Sequence, residues 1–296
     1  MLRKLMGITS TLLFAVIIAQ AADTTPARTN FSASDIVNKN VQARGGLQAW
    51  RAVQSMSMEG KLGAGGNQRT PLPQPIPGKH GDKLTLPARP AEEVQLPFAM
   101  DVQRPHKARF EIKFKGQTAV QVFDGTNGWK LRPYLNRLEV ESFTPDELKS
   151  SSMQPELDGP LVDYAAKGTK VELEGTEKVE DRNSYKLKLT MKNGQVTHVW
   201  IDAQTFLEAK IEGQPRRLDG IEHPVEVYYR DYRAVNGLQI PFVLETKVLP
   251  AAKATTTVRQ TPVPSEKLVI ETVVVNPRLD SSLFSKPQAA AALAHN

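Results

Sequence analysis

The side chains best suited to acid–base or metal chemistry are few in this chain and poorly spaced for it. Five histidines, His80, His106, His198, His223 and His295, stand apart, with no HExxH pair and no second ligand at metal spacing. There is no cysteine, so no disulfide framework exists and no thiol can carry a lipid anchor. No Gly-x-Ser-x-Gly elbow presents a serine, and no glycine loop ends in the Gly-Lys-Ser/Thr that cradles phosphate. The acid pairs Glu92-Glu93 and Glu180-Asp181 fall in polar, loop-like sequence, where charge is solvated. His198 lies on an apolar strand face, where a lone histidine is a packed or rim residue. The sequence therefore implies a non-enzymatic protein with no cofactor and no metal.

What remains is chemistry of another kind, the sheltering of hydrocarbon. In "KARFEIKFK", Ala108, Phe110, Ile112 and Phe114 alternate with Lys107, Arg109, Glu111, Lys113 and Lys115. Successive strand side chains point to opposite faces, so one face is apolar and the other wet. In "YKLKLTMKNGQVTHVWID", a two-residue turn at Asn193-Gly194 sets Met191 opposite Val196, Leu189 opposite His198 and Leu187 opposite Trp200. Tyr185, Leu187, Leu189, Met191, Val196 and Trp200 then share a face. In "RDYRAVNGLQIPFVLET", Leu238, Ile240, Phe242 and Leu244 alternate with Gln239, Pro241, Val243 and Glu245. Asn236-Gly237 admits two registers. A two-residue turn places Tyr229, Asp231 and Arg233 across from the apolar set, whereas a three-residue loop with a glycine bulge places Tyr228, Arg230 and Tyr232 there. Either way an arginine, Arg230 or Arg233, enters the apolar side, and it must be paired, sit in a wet space, or reach solvent by strand twist.

These faces need a sheet to hold them and something to cover them. "AVQVFDGTNGWKLRP" adds a hairpin with Asn127-Gly128 in its turn, and "EKLVIETVVVNP" a last strand closed by Pro277. Regular short strands with turn signals between them predict a meander curled into an open barrel. Ser32 or Ser34 caps a helix through Ile36, Val37 and Val41, which Gly45-Gly46 ends. A short turn carrying Leu47, Trp50 and Val53 leads into the strand "SMSMEGKL". A further helical segment opens with Thr144, Pro145 and Glu147 as a capping box and runs through Leu148, Leu157, Leu161, Val162 and Ala165 to Gly168. Two or three helices are thus the only cover for the apolar side of the sheet.

The chain opens with Arg3 and Lys4, then a short apolar run ending in Ala19-Gln20-Ala21, the pattern of a cleavable secretory signal over residues 1–21. An uncleaved anchor helix is the alternative. Residues 22–33 read as a flexible lead, 34–287 as one domain and 288–296 as a disordered tail. Seven prolines between Pro71 and Pro97 mark 63–97 as an irregular insertion. The formal charge of +6 includes Arg3 and Lys4 and is spread along the strands, which supports no nucleic-acid groove and only a weak attraction to anionic membranes.

Several stretches together resemble the periplasmic LolA-like family of outer-membrane lipoprotein-sorting proteins, in a divergent branch. They are "VQARGGLQAWRAVQSMSMEGKL", "VFDGTNGWKL", "LDGPLVDYAAKGTKVELEGTEKVEDRNSYKLKLT", "VWIDAQTFLEAKI", "RDYRAVNGLQIPF" and "VVVNPRLDSSLFSKP". The resemblance spans most of residues 34–287 outside the proline-rich insertion and lies in order and spacing, not in any one motif. It implies a mainly β (α+β) fold, a strongly curved antiparallel half-barrel covered by two or three helices. It implies a periplasmic carrier of lipoprotein or lipid acyl chains, with transient membrane contact, an inner-membrane lipoprotein-releasing transporter as donor and an outer-membrane acceptor. The cavity would be lined by Phe110, Ile112, Phe114, Tyr185, Leu187, Leu189, Met191, Val196, Trp200, Leu238, Ile240, Phe242 and Leu244. Leu148, Leu157, Leu161 and Val162 would form its lid. Two other readings stand beside this one: a filled core, since an apolar strand face usually is one, and a non-transporting envelope sensor or scaffold.

Overall fold

In a computed structural model of the protein, the described residues are 31–64, 94–133, 137–152, 157–218, 221–251, 263 and 265–289. The expected signal segment, most of the proline-rich insertion (65–93) and residues 290–296 of the expected tail lie outside them. Among the described residues thirteen antiparallel strands form one open sheet. They are β1 (Ser55–Ala64), β2 (Val94–Gln103), β3 (Lys107–Phe114), β4 (Gln117–Phe123), β5 (Gly128–Arg132), β6 (Arg137–Ser142) and β7 (Lys170–Val179). After them come β8 (Arg182–Thr190), β9 (Val196–Asp202), β10 (Glu208–Leu218), β11 (Ile221–Val235), β12 (Leu238–Val248) and β13 (Glu266–Val275). The order across the sheet is β6-β5-β4-β3-β2-β1-β13-β12-β11-β10-β9-β8-β7. The chain therefore walks outward from β1 to the β6 edge, crosses to the far edge at β7, and walks back until β13 pairs with β1.

That topology decides what can cover the concave face. The helices α1 (Ala33–Ala43) and α2 (Leu47–Ala52) immediately precede the mid-sheet strand β1. Residues 143–169, which include α3 (Pro145–Ser152), must cross from one edge to the other. Ser32 caps α1 by accepting the Asp35 N–H at 3.2 Å while the Asp35 carboxylate accepts the Ser32 N–H at 3.0 Å. The same reciprocal box starts α3, between Thr144 and Glu147. The helix expected to run on to Gly168 is described over Pro145–Ser152, and residues 157–168 form a series of turns instead. Gly159 and Asp163, at φ +81° and +53°, adopt left-handed conformations that no α-helix accommodates.

The core lies between the concave face and these covers. Ile36 and Val37 of α1, Trp50 of α2, and Leu161 and Val162 of the crossing segment are all at most 2% exposed. They pack in one cluster with Leu187, Leu189, Val199, Ile201, Leu238, Ile240 and Phe242. On the convex side Val120, Val122 and Leu131 bury Phe284 of a 3-10 helix, Ser281–Phe284.

Two hairpins set the registers. At Asn236-Gly237 the turn is two residues long, with Val235 opposite Leu238 and φ values of +49° and +81°, the type I′ geometry that matches strand twist. Arg233 is therefore the arginine on the apolar side, opposite Ile240. Its guanidinium lies 4.4 Å from the Phe242 ring centre and pairs with Asp231 at 2.6 Å, in reach of solvent. Arg230 faces the convex side, between Glu180 and Glu245.

The β8–β9 connection corrects the other expectation. Met191 donates its N–H to the Gln195 carbonyl, enclosing Lys192, Asn193 and Gly194 in a three-residue loop with Gly194 at φ +83°. One residue more in the loop flips every side chain of one strand. Leu187 faces Val199, and it is Lys186 that faces Trp200. Trp200, His198 and Val196 thus belong to the convex set and not to the apolar face. There Trp200 donates its indole N–H to Glu177, the Lys210 ammonium sits 3.9 Å from its ring centre, and His198 lies between Glu174 and Glu212. Val196 is 46% exposed.

Candidate functional site

An apolar cleft of about 340 Å³ opens on the concave face over β2, β3 and β4. Met100 and Val102 of β2, Ala108 and Phe110 of β3 and Phe123 of β4 supply its floor, because their alternation and pairing bring them to one side. Phe143, Ser151 and Leu157, from the crossing segment, form the opposite wall. The mouth is the β2–β3 turn, with Arg104, Pro105 and His106.

The cleft exists because the cover is uneven. α1 and α2 carry apolar residues into the core, but α3 buries none. It docks by charge: the Lys130 ammonium, itself buried, meets both oxygens of Glu147. Burial alone would raise the Glu147 carboxyl, yet bonding to Lys130 and to the Thr144 N–H and hydroxyl holds it below its ordinary value of 4.5. A polar foot of this kind leaves the side chains over β2–β4 only half covered.

Next to the cleft the crossing segment is nailed down. The Asp158 carboxylate, 4% exposed, pairs with Arg104 at 2.8 Å and Lys167 at 2.6 Å, and its carbonyl accepts from Arg44 at 2.7 Å. Arg44 also pairs with buried Glu208 at 3.3 Å and stacks 4.2 Å from the Trp50 ring centre. Arg51 grips Asp163 farther along. Burial of several charges together is tolerable only with such mutual pairing. Beyond Leu161 and Val162, a second cleft of about 440 Å³ is lined by Pro160, Met191, Thr197, Ile211, Val225 and Leu249, with Glu212 and Glu226 at its edge.

The residues expected to line one cavity are thus distributed over six places. Phe110 lines the first cleft, and Ile112 and Phe114 lie farther along the same strand face, half-buried and outside it. Leu187, Leu189, Leu238, Ile240 and Phe242 are filled core, at most 5% exposed, with Leu244 packed partly against them. Tyr185 joins Phe31 and Phe206 in an aromatic group, its ring stacked 6.1 Å from that of Phe206. Met191 and Val196 border the second cleft, Val196 from the convex side; Trp200 is on the other face. Of the expected lid, Leu161 and Val162 are completely buried, Leu157 walls the first cleft, and Leu148 touches neither core. Sequence reading missed Met100 and Val102, although "FAMDVQ" alternates as clearly as "RFEIKF". It also missed Asp158 and its cations, which share no local pattern. Among the described residues no group of three acids or histidines is placed to hold a metal ion.

The geometry has counterparts among solved structures. A DUF1329 family protein from Desulfovibrio piger is similar with a TM-score of 0.51 at 9% identity, over 86% of this chain and 97% of that one. A LolA superfamily protein from Nitrosomonas europaea matches with a TM-score of 0.49 at 12% identity, covering 86% and 98% of the two chains. A domain from Vibrio parahaemolyticus, described as an outer membrane lipoprotein-sorting protein, matches with 0.48 at 13% identity over 86% and 96%. No family model matches the chain, and no curated protein does. The first of these likenesses shows the fold alone. At that level the curved antiparallel sheet read from the sequence stands.

Proposed function

We propose that this protein is a non-enzymatic carrier that holds an acyl chain of a lipoprotein or lipid in the cleft over β2–β4 and moves it through the periplasm toward the outer membrane. The observation that carries this reading is the incompletely covered stretch of concave face, where Met100, Val102 and Phe110 are only partly buried and line a cleft of about 340 Å³. Each methylene withdrawn from water is worth about 0.8 kcal/mol, so such a surface and an acyl chain stabilise one another. The volume is at the low end of the roughly 300–1,000 Å³ of ligand pockets, and the half-open wall allows release. Among the described residues no helix is long and apolar enough to cross a membrane.

The test is uptake of a fluorescent fatty acid by the purified full chain, paired with mass spectrometry of its organic extract. Met100→Glu and Phe110→Glu should each cut uptake at least tenfold in a protein that still unfolds cooperatively; retained uptake in both would remove the cleft from the site. A second reading draws on the solid packing around Leu187 and Leu238: an envelope sensor or scaffold, using this fold for protein contact. Absence of any bound acyl species and of any uptake would favour it.

A further inference from the structure

One row of residues crosses β2–β5 beneath the first cleft. Strand pairing sets Val102 beside Ala108, Ala108 beside Phe123 and Phe123 beside Gly128. Directly opposed residues share a face, so the row is concave throughout and ends on a residue with no side chain. The glycine is not required by its backbone. Gly128 has no positive φ, and in ordinary strand conformation alanine is less costly than glycine. What the position lacks is space, because a Cβ built on Gly128 would overlap the ring of Phe143, its Cγ included. Cγ is the root of the ring and lies on the axis of the last torsion, so spinning the ring cannot relieve the overlap.

Phe143 is held in that seat by ties on both sides. Its N–H donates to the Gly128 carbonyl at 2.8 Å. The next residue, Thr144, donates its N–H to the Glu147 carboxylate at 2.8 Å, and Glu147 is bound to Lys130. Both ties lead back to β5, the strand that carries Gly128. Phe143 packs in neither the concave nor the convex core cluster, and it lines the cleft. Leu157, on the same wall, is followed by the buried Asp158 with its two ion pairs. A wall fastened at both places cannot yield cheaply to a wider guest, and about 340 Å³ leaves little slack beyond one slender chain.

We infer that Phe143, seated in the space that Gly128 leaves empty, sets the width of the cleft over β2–β4, so that it accepts a straight acyl chain and rejects a methyl-branched one. This rests on the carrier reading and narrows its cargo. Each branch adds a methyl group that needs room at the wall, and a methyl that a packed apolar site cannot place costs roughly tenfold or more in affinity.

The experiment is displacement of a fluorescent fatty acid from the delipidated full chain by palmitate and by phytanate, which share a carboxylate and a backbone length and differ in methyl branches. Palmitate should bind about tenfold more tightly. In Phe143→Ala the palmitate-to-phytanate ratio should fall toward one, with Phe143→Leu between. A variant that merely loosens the fold weakens both acids together and keeps the ratio. The seat itself is read by urea denaturation. Gly128→Ala should lower the midpoint in the wild type but leave it unchanged or raise it in the Phe143→Ala background, where the obstructing ring is gone. Equal binding of the two acids by the wild type, an unchanged ratio in Phe143→Ala, or the same cost of Gly128→Ala in both backgrounds overturns the inference and leaves the carrier reading standing. Failure of both acids, and of the fluorescent one, to bind the wild type overturns the carrier reading itself.

Discussion

Trp200 shows how much a single loop residue decides. A count of the β8–β9 hairpin with Asn193-Gly194 as the whole turn puts this indole among the cavity residues, but inclusion of Lys192 in the loop turns it outward. There its ring receives the Lys210 ammonium and its N–H meets Glu177, whose carboxyl that bond helps to hold below the ordinary 4.5. Trp200→Phe should therefore leave fatty-acid uptake unchanged while removing one indole signal; a loss of uptake would contradict the convex placement. The opening of the same cleft was legible in one residue type and silent in another. Phe110 announces itself by alternation, and so do Met100 and Val102 once β2 is read beside it. Asp158 does not, because its partners Arg44, Arg104 and Lys167 come from three places in the chain that only the tertiary fold assembles.

At the scale of elements, the segment from Leu157 to Thr169 is the piece that closes the middle of the concave face. It has no regular structure of its own to hold it, and relies on Leu161 and Val162 in the core and on Asp158 among its cations. Asp158→Ala should cost about 3 kcal/mol in urea denaturation, since it strands buried positive charge, and Asp158→Asn should cost less because the amide oxygen still accepts hydrogen bonds. Equal stability of wild type and the alanine variant would show the pairing to be incidental. The serine cap of α1 and the capping box of α3 are plain in the sequence, as is the glycine stop of α1. The length of α3 is not, since the apolar spacing of Leu157, Leu161 and Val162 imitates a helix although the backbone at Gly159 and Asp163 forbids one. Such spacing is met here by two tight turns that bring the same side chains inward.

For the whole molecule, titration sets two limits on stability. Burial by itself would raise the Asp202 carboxyl, but the N–H groups of Thr205 and Gln204, the Thr205 hydroxyl and Arg182 hold it below 3.8, and Glu245 and Glu147 are likewise held below 4.5. Carboxylates of this kind favour the folded state fully above their unfolded values and lose that contribution as pH falls through the lower folded ones. Burial, with the Glu208 charge adding to it, pushes the Tyr229 and Tyr232 phenols above 10.0, so their contribution is complete below that value and is lost as pH rises through the higher folded ones. The urea midpoint should be nearly flat between about pH 5 and 9 and should fall on both sides. A midpoint that rises on acidification below pH 4 would refute the carboxylate assignments.

The pairing of β13 with β1 has a consequence for how the chain matures. Until Glu266–Val275 exists, β12 is an open border and β1 has a neighbour on one side only, so the two meanders remain separate ribbons with greasy undersides. The seam joins residues more than two hundred positions apart, which makes assembly late and slow compared with any hairpin in it. A polypeptide made in this order spends its synthesis unzipped, and closes into one continuous sheet only with its final ribbon.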